Sequence, residues 1–274
     1  MPPRVEEEKA RILVYGYDAD VVSFTDGASK DKIHNHAEHL IAELCANRRR
    51  LKATHRPVIF VAHSLGGLVV KRALIYSSEI RGNYIEHLRS IFVSKYGILF
   101  LGTPHKGSDA AKWGSRLERI CNAILPSNLV DTQPQLIDAL KSNSETLQNI
   151  DRQFSQLTSR FHIFFFHEGK PTNLRGTLQY IVDENSASPD IQNVERAGIQ
   201  QDHSHMCKFE NENAPGFSLV TEAIQRFAGE APEKIDIRWD SEVAERRTGK
   251  EAEVEELLAG TLKRSENTLV SPGS

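Results

Sequence analysis

A chain of 274 residues with 39% hydrophobic content, 26% charged content and a formal net charge of -3 can bury a sizeable α/β core. It lacks the basic excess of a general nucleic-acid binder. Three cysteines, Cys45, Cys121 and Cys207, lie far apart, so neither a disulfide framework nor a zinc spacing is present.

No apolar run approaches the roughly 20 residues that span a bilayer, and the charged lead Met1–Glu8 has no signal-peptide character. A reducing intracellular, cytoplasmic setting is therefore expected. Ala10–Tyr17 reads as a first strand closed by a glycine turn, and Asp26–Lys30 as a loop. Ile33, Ala37, Leu40, Ile41, Leu44 and Cys45 recur at helical spacing, which predicts an amphipathic helix over Lys32–Arg50. His34, His36 and His39 lie on it, but no carboxylate or cysteine at fitting spacing makes them a metal site. Arg48, Arg49 and Arg50 suit the negative end of its dipole.

The chain is organised around Pro57–Val70. Its apolar first half, opened by a proline, predicts a buried parallel strand, and Leu68–Tyr76 predicts a helix. Between them stands His63-Ser64-Leu65-Gly66-Gly67. A strand, a tight turn with serine at its apex and a helix form a nucleophile elbow. Small residues must flank the serine, because strand and helix nearly collide there. Gly66 meets that need, and Ala62 stands where G-x-S-x-G has glycine, adding one methyl.

Downstream, Tyr84–Ile91 predicts a short helix and Tyr96–Gly102 a buried strand, followed by Thr103-Pro104-His105-Lys106-Gly107-Ser108. His105, at a strand's carboxyl end, is a candidate for the site, although its proline and glycine neighbours suggest a shaped loop. Asp109–Ile124 predicts a helix, Leu125–Asn143 an irregular stretch suited to a lid, and Glu145–Arg160 another helix. The aromatic strand Phe161–Phe166 delivers His167 and Glu168 to the sheet edge, and Gln179–Val182 predicts a strand leading to Asp183. A loop then carries His203 and His205, and Phe217, Val220, Ile224 and Phe227 mark a closing helix. Alternating strands and helices predict a mostly parallel sheet covered on both faces. Residues 1–229 form the expected domain. The charge-rich residues 230–274 are expected to leave it as a partly helical or disordered tail, offering a surface to protein partners.

A serine hydroxyl is a weak nucleophile until a histidine takes its proton, and that histidine needs a carboxylate to orient it. In the α/β-hydrolase arrangement these follow the chain order Ser, acid, His. Ser64, Glu168 and His203 satisfy that order, with Asp183 as the alternative acid and His205 as the rival base. Such chemistry calls for no metal and no cofactor.

The segments RILVYGYDADV, VIFVAHSLGGLVVKRAL, YGILFLGTPHKGS, FFFHEGKPT, IVDENSA and DHSHMCKF resemble the serine-active-site-containing protein family of lipase-like α/β hydrolases, relatives of the GPI inositol-deacylases. The resemblance implies a serine esterase acting on a small-molecule or lipid ester. It also implies association with endoplasmic-reticulum or mitochondrial membranes; in fungi, similar domains often precede nucleotide-binding receptor modules. It places the nucleophile at Ser64, the base at His203 and the acid at Glu168, with His167 where the family has tyrosine. The Leu65 amide becomes an oxyanion donor. The family's upstream strand and His-Gly-Leu-x-Gly loop, which supply the second donor, have no counterpart here, since no His-Gly pair occurs in the sequence. The resemblance thus implies an α/β-hydrolase fold short of its N-terminal strands. Two readings follow: a serine ester hydrolase, or a catalytically weak hydrolase-like module for signalling or interaction.

Overall fold

The computed structural model describes residues 10–16, 32–81, 84–105, 110–124, 144–174, 176–189 and 191–269. Helix α1 (Lys32–Arg50) has the predicted bounds. Strand β1 (Val58–His63) leads through the serine turn into α2 (Gly66–Glu79), and a 3-10 turn at Glu86–Arg89 and the short α3 (Ser90–Ser94) lead into β2 (Lys95–Leu101). Helices α4 (Ala110–Ile124) and α5 (Ser144–Ser155) precede β3 (His162–Glu168). A small hairpin, β4 (Thr172–Leu174) and β5 (Thr177–Gln179), is followed by α6 (Glu184–Ala187). Strand β6 (Glu195–Ile199) and the long α7 (Phe217–Leu269) complete the order.

The central sheet is parallel throughout, in the order β1-β2-β3-β6. Its register aligns His63 with Leu101, Leu101 with Phe166, and Glu168 with Ile199. The carboxyl ends therefore share one edge, where ligands bind in open α/β sheets.

Alternation along the strands sends side chains to two layers. Ile98, Phe100, Ile163 and Phe165 pack with Leu68, Leu74, Ile150 and Phe154 from α2 and α5. On the other face Leu99, Leu101, Phe164 and Phe166 meet Val220, Ala223 and Phe227 from α7. Outside α2, α1 adds Ala37, Leu40, Ile41 and Cys45 against Val69 and Ala73. Helices on both faces of a parallel sheet, with a serine turn after the first strand, make this an α/β-hydrolase architecture.

The structure departs from the sequence reading at four points. Residues 10–16 form no strand; Ile12 and Val14 are 89% and 93% exposed, while the Tyr15 hydroxyl donates to the His36 carbonyl. An apolar run becomes a strand only where a neighbouring edge completes its hydrogen bonds, and this one does not pair with β1. Ile181 and Val182 are not a strand either. The β-structure there is the hairpin ending at Gln179, and the two buried residues turn their amides elsewhere, as shown below. Strand β6 was not predicted, because Glu195-Arg196-Ala197-Gly198-Ile199 has neither apolar alternation nor strong β-formers. Charged residues on such an edge strand are a usual guard against further pairing.

The fourth correction concerns the end of the domain. The chain does not leave the domain after Gly229: α7 runs on through Pro232, with Ala231, Ile235, Trp239 and Glu242 buried. Proline removes one helix hydrogen bond, but the residues beyond it pack firmly. The Trp239 indole donates to Ser94 Oγ at 3.1 Å and stacks on His55, and Arg89 pairs with Glu242 through two contacts of 2.6 and 3.1 Å. The boundary expected at Gly229 thus falls inside a helix that still belongs to the core. The lid expected over Leu125–Asn143 lies outside the described residues.

Candidate active site

The elbow is visible in the backbone. Ser64 has φ of +51°, a left-handed conformation that non-glycine residues adopt at a cost of about 1 to 3 kcal/mol. Surrounding bonds hold it there. The Ser64 amide donates to the Leu101 carbonyl at 2.9 Å, which continues the sheet. The Ser64 carbonyl accepts from the Gly67 amide and from the Thr103 hydroxyl, both at 3.1 Å. Ala62, in the place of the first consensus glycine, is buried without disturbing the turn.

Ser64 Oγ lies 2.9 Å from His203 Nε2, and His203 Nδ1 lies 2.9 Å from Glu168 Oε1. All three residues are buried. Glu168 also accepts from two backbone amides, Ile181 to Oε2 at 3.0 Å and Val182 to Oε1 at 2.7 Å. An ionised carboxylate only accepts hydrogen bonds, so His203 Nδ1 carries the ring proton and Nε2 is left to accept from the serine hydroxyl. The buried Ile181 and Val182 therefore serve to ligate Glu168, with charge-assisted bonds of the stronger kind.

The rival residues stand elsewhere. Asp183 caps α6, accepting from the Ser186 amide at 3.1 Å and from Arg116 Nε at 2.9 Å. His205 is exposed and pairs with Asp202, with Nδ1 to Oδ1 at 2.8 Å. His105 is buried between Phe100 and Phe165, with ring centroids 4.7 and 4.5 Å away. Burial, with the nearby Lys71 charge, holds His105 neutral, well below the ordinary histidine range. It fills the core and contributes its amide to the Ser186 carbonyl at 2.8 Å.

The Leu65 amide follows Ser64 at the N-cap of α2, where the helix dipole favours negative charge. Among the described residues it has no backbone acceptor. Tyr17, whose amide could add a second donor, lies outside the described residues. His34 accepts from Arg72 Nε at 3.1 Å and lies near Glu38, and among the described residues no group of three metal-ligating side chains comes together.

Two residues at the site were not singled out by sequence. Thr103, fully buried, braces the Ser64 carbonyl. His63 places Nε2 at 2.8 Å from the His203 carbonyl. Their signal is only adjacency: His63 precedes the serine, and Thr103 follows the end of the next strand.

Residues 19–164, just over half of the chain, match the family described as "Putative serine esterase (DUF676)". The chain belongs to that family. The match includes the elbow and ends before Glu168 and His203. Protein SERAC1 of Danio rerio is 29% identical over 224 residues, which cover 80% of this chain and 31% of the relative. The bovine (Bos taurus) Protein SERAC1 is 28% identical over 173 residues, covering 63% and 24%. The chain thus spans about a third or less of these relatives. The crystal structure of Bacillus licheniformis lipase BlEst2 in mature form aligns at 16% identity and a TM-score of 0.42, covering 72% of this chain and 74% of that one. Among the described residues no helix is long and apolar enough to cross a membrane.

Proposed function

We propose that this member of the serine esterase family hydrolyses carboxylic esters, with Ser64 as nucleophile, His203 as general base and Glu168 as the acid that orients His203. The observation that carries the reading is the unbroken chain from Ser64 Oγ to His203 to Glu168, two contacts of 2.9 Å each, starting from a strained serine. Ser64 Oγ attacks the ester carbonyl as His203 Nε2 takes its proton. The tetrahedral oxyanion lies against the Leu65 amide. Collapse expels the alcohol, which receives that proton, and water attacking the acyl-serine under the same base releases the acid and restores Ser64. Glu168 stabilises the imidazolium in both halves without being protonated.

A lipid ester is the substrate class that the motif resemblance implies, at endoplasmic-reticulum or mitochondrial membranes. A chain-length series of p-nitrophenyl esters, with and without phospholipid vesicles, tests that part. The reading itself is tested by a fluorophosphonate probe, which forms a bond only with an activated serine. Labelling that is absent from the wild-type protein, or that persists in Ser64→Ala, would remove it.

A second reading, a weak module used for interaction, draws on one feature. Among the described residues β1 pairs on one side only, and a groove of about 950 Å³ opens along its other edge, lined by Tyr15, Leu40, Leu44, Phe60 and Val69. Unpaired edges invite added strands. Failure of labelling in well-folded protein would favour this reading.

A further inference from the structure

We infer that His63 is a positioning residue that holds the His203 main chain so that the His203 ring stays aligned between Ser64 and Glu168. This rests on the proposed esterase reading for its consequence, but its structural content can be tested separately.

Each triad member is fixed at its backbone or carboxylate by a group outside the triad. The Ser64 carbonyl is held by Thr103, and the Glu168 carboxylate by the Ile181 and Val182 amides. His203 lies on a loop after β6 and not on a regular element, so its main chain needs other anchors. Its amide reaches Thr172 Oγ1 only at 3.3 Å. Its carbonyl meets His63 Nε2 at 2.8 Å, a shorter contact from the last residue of β1, the strand that also carries Ser64. The nucleophile and its base are thereby referenced to the same rigid strand.

A carbonyl oxygen only accepts, so His63 must carry its proton on Nε2. The ring also lies beside the His203 ring, with centroids 4.9 Å apart and planes tilted by 42°. A cation there would oppose the imidazolium that forms during catalysis. Burial, followed by the proximity of His203, lowers His63 to about 4, so that it stays neutral at neutral pH while still donating. The site thus pairs a donor with an uncharged ring. Phenylalanine would keep the ring and lose the donor. Glutamine would lose the ring and keep an N–H near the Nε2 position.

The test has two arms. In the wild-type protein labelled with ¹⁵N-histidine, NMR should show His63 as the neutral Nε2–H tautomer at pH 7; a neutral Nδ1–H tautomer would overturn the inference whether or not the protein is an esterase. In the second arm, fluorophosphonate labelling rates and the low-field proton signal of the His203–Glu168 hydrogen bond are compared across variants. A displacement of about 1 Å can cost on the order of 100-fold. His63→Phe should therefore label roughly 10- to 100-fold more slowly with the low-field signal weakened, while His63→Gln recovers most of both. Equal rates and signals in wild type and His63→Phe, or no recovery in a folded His63→Gln, would overturn it. Should His63→Phe not fold, the tautomer and His63→Gln decide. Absence of labelling in wild type would instead count against the esterase reading alone.

Discussion

Gly67 and Thr103 pack so closely that a Cβ on the glycine would stand 2.2 Å from the threonine Oγ1. The first turn of α2 is thereby drawn against the end of β2, which lets the Thr103 hydroxyl brace the Ser64 carbonyl. Thr103 is fully buried and cannot swing aside. Gly67→Ala should cost about 1 to 3 kcal/mol, as overpacking does, and should slow phosphonate labelling by shifting the elbow. Thr103→Val keeps the shape and removes only the hydroxyl, so about 1 kcal/mol is expected. Urea denaturation of the two variants checks the order; a Thr103→Val loss equal to or larger than that of Gly67→Ala would contradict it.

The choice between two acids is open to kinetics. Glu168→Gln replaces an acceptor-only group with an amide that can present N–H to His203, favouring the wrong tautomer. A fall in turnover on the order of 10⁴-fold is known for such a change in a serine triad. Asp183→Asn keeps a side chain able to cap α6, so its effect on turnover should stay within about threefold, with a stability loss below ~1 kcal/mol. The reverse pattern would make Asp183 the acid. The Glu168 variant should remain folded by circular dichroism, so that its loss can be assigned to the site.

Much of this was legible in the sequence, for a physical reason. The elbow needs a buried strand, small residues and a helix in immediate succession, and the strands before Ser64 and Glu168 are dense in β-formers. Local chemistry therefore marked both carboxyl ends. What escaped notice depended on distant partners. β6 has no periodic signal and exists because β3 offers it an edge. Ile181 and Val182 looked like a strand because both are apolar, but the Glu168 carboxylate captures their amides. Residues 10–16 carry a strong strand signal and, among the described residues, pair with no strand. Residues 230–274 read as a departing tail because they are rich in charge, yet Ile235 and Trp239 are buried, and their contacts outweigh the hydrogen bond missing at Pro232.

Stability should fall as the solution is acidified below about pH 6.5, and two histidines set the sign. His63 is lowered from 6.5 to about 4 and His105 well below 6.5, burial being the first cause in each case. An unfolded chain protonates both near pH 6.5, while the folded state excludes the proton until lower pH. The unfolded state therefore binds more protons in this window, and stability is lost as pH drops through it. For His63 the full effect by about pH 4 is roughly 3 kcal/mol. His105→Phe, set among Phe100 and Phe165, should flatten the loss while leaving phosphonate labelling at pH 7 unchanged. Melting temperatures from pH 7 to pH 4.5 measure this; an unaltered slope in His105→Phe would show that another group governs it.

The domain should not survive truncation at Gly229. That cut removes Ala231, Ile235, Trp239 and Glu242 from the interior, together with the Arg89 pair. Deleting one large buried side chain costs about 3 to 5 kcal/mol, and a whole domain is stable by about 5 to 15 kcal/mol. A chain ending at Thr248 keeps all of these contacts and should unfold cooperatively near the full-length midpoint. Equal midpoints for the two truncations would show that the packed half of α7 contributes little.

The last expectation concerns rate. The proposed ester hydrolysis passes through an oxyanion, and among the described residues the Leu65 amide is the backbone donor that this mechanism sets against it. The sequence contains no His-Gly pair to form the loop that supplies the second donor in the resembled family. Loss of one donor raises the barrier by roughly 3 to 4 kcal/mol, or 10²- to 10³-fold in turnover. On the proposed mechanism, activation of Ser64 is less affected, because His203 and Glu168 would act on its proton and not on the oxyanion. This chain should therefore label slowly but specifically with a phosphonate and turn over p-nitrophenyl esters far below the ordinary value of about 10 per second. Among the described residues β1 pairs on one side only, which adds a second expectation. A fusion that adds an upstream strand and loop should raise turnover and leave the Ser64 dependence of labelling unchanged. Turnover of about 10 per second by the chain as it stands would mean that another amide completes the hole, and the donor count argued here would be wrong.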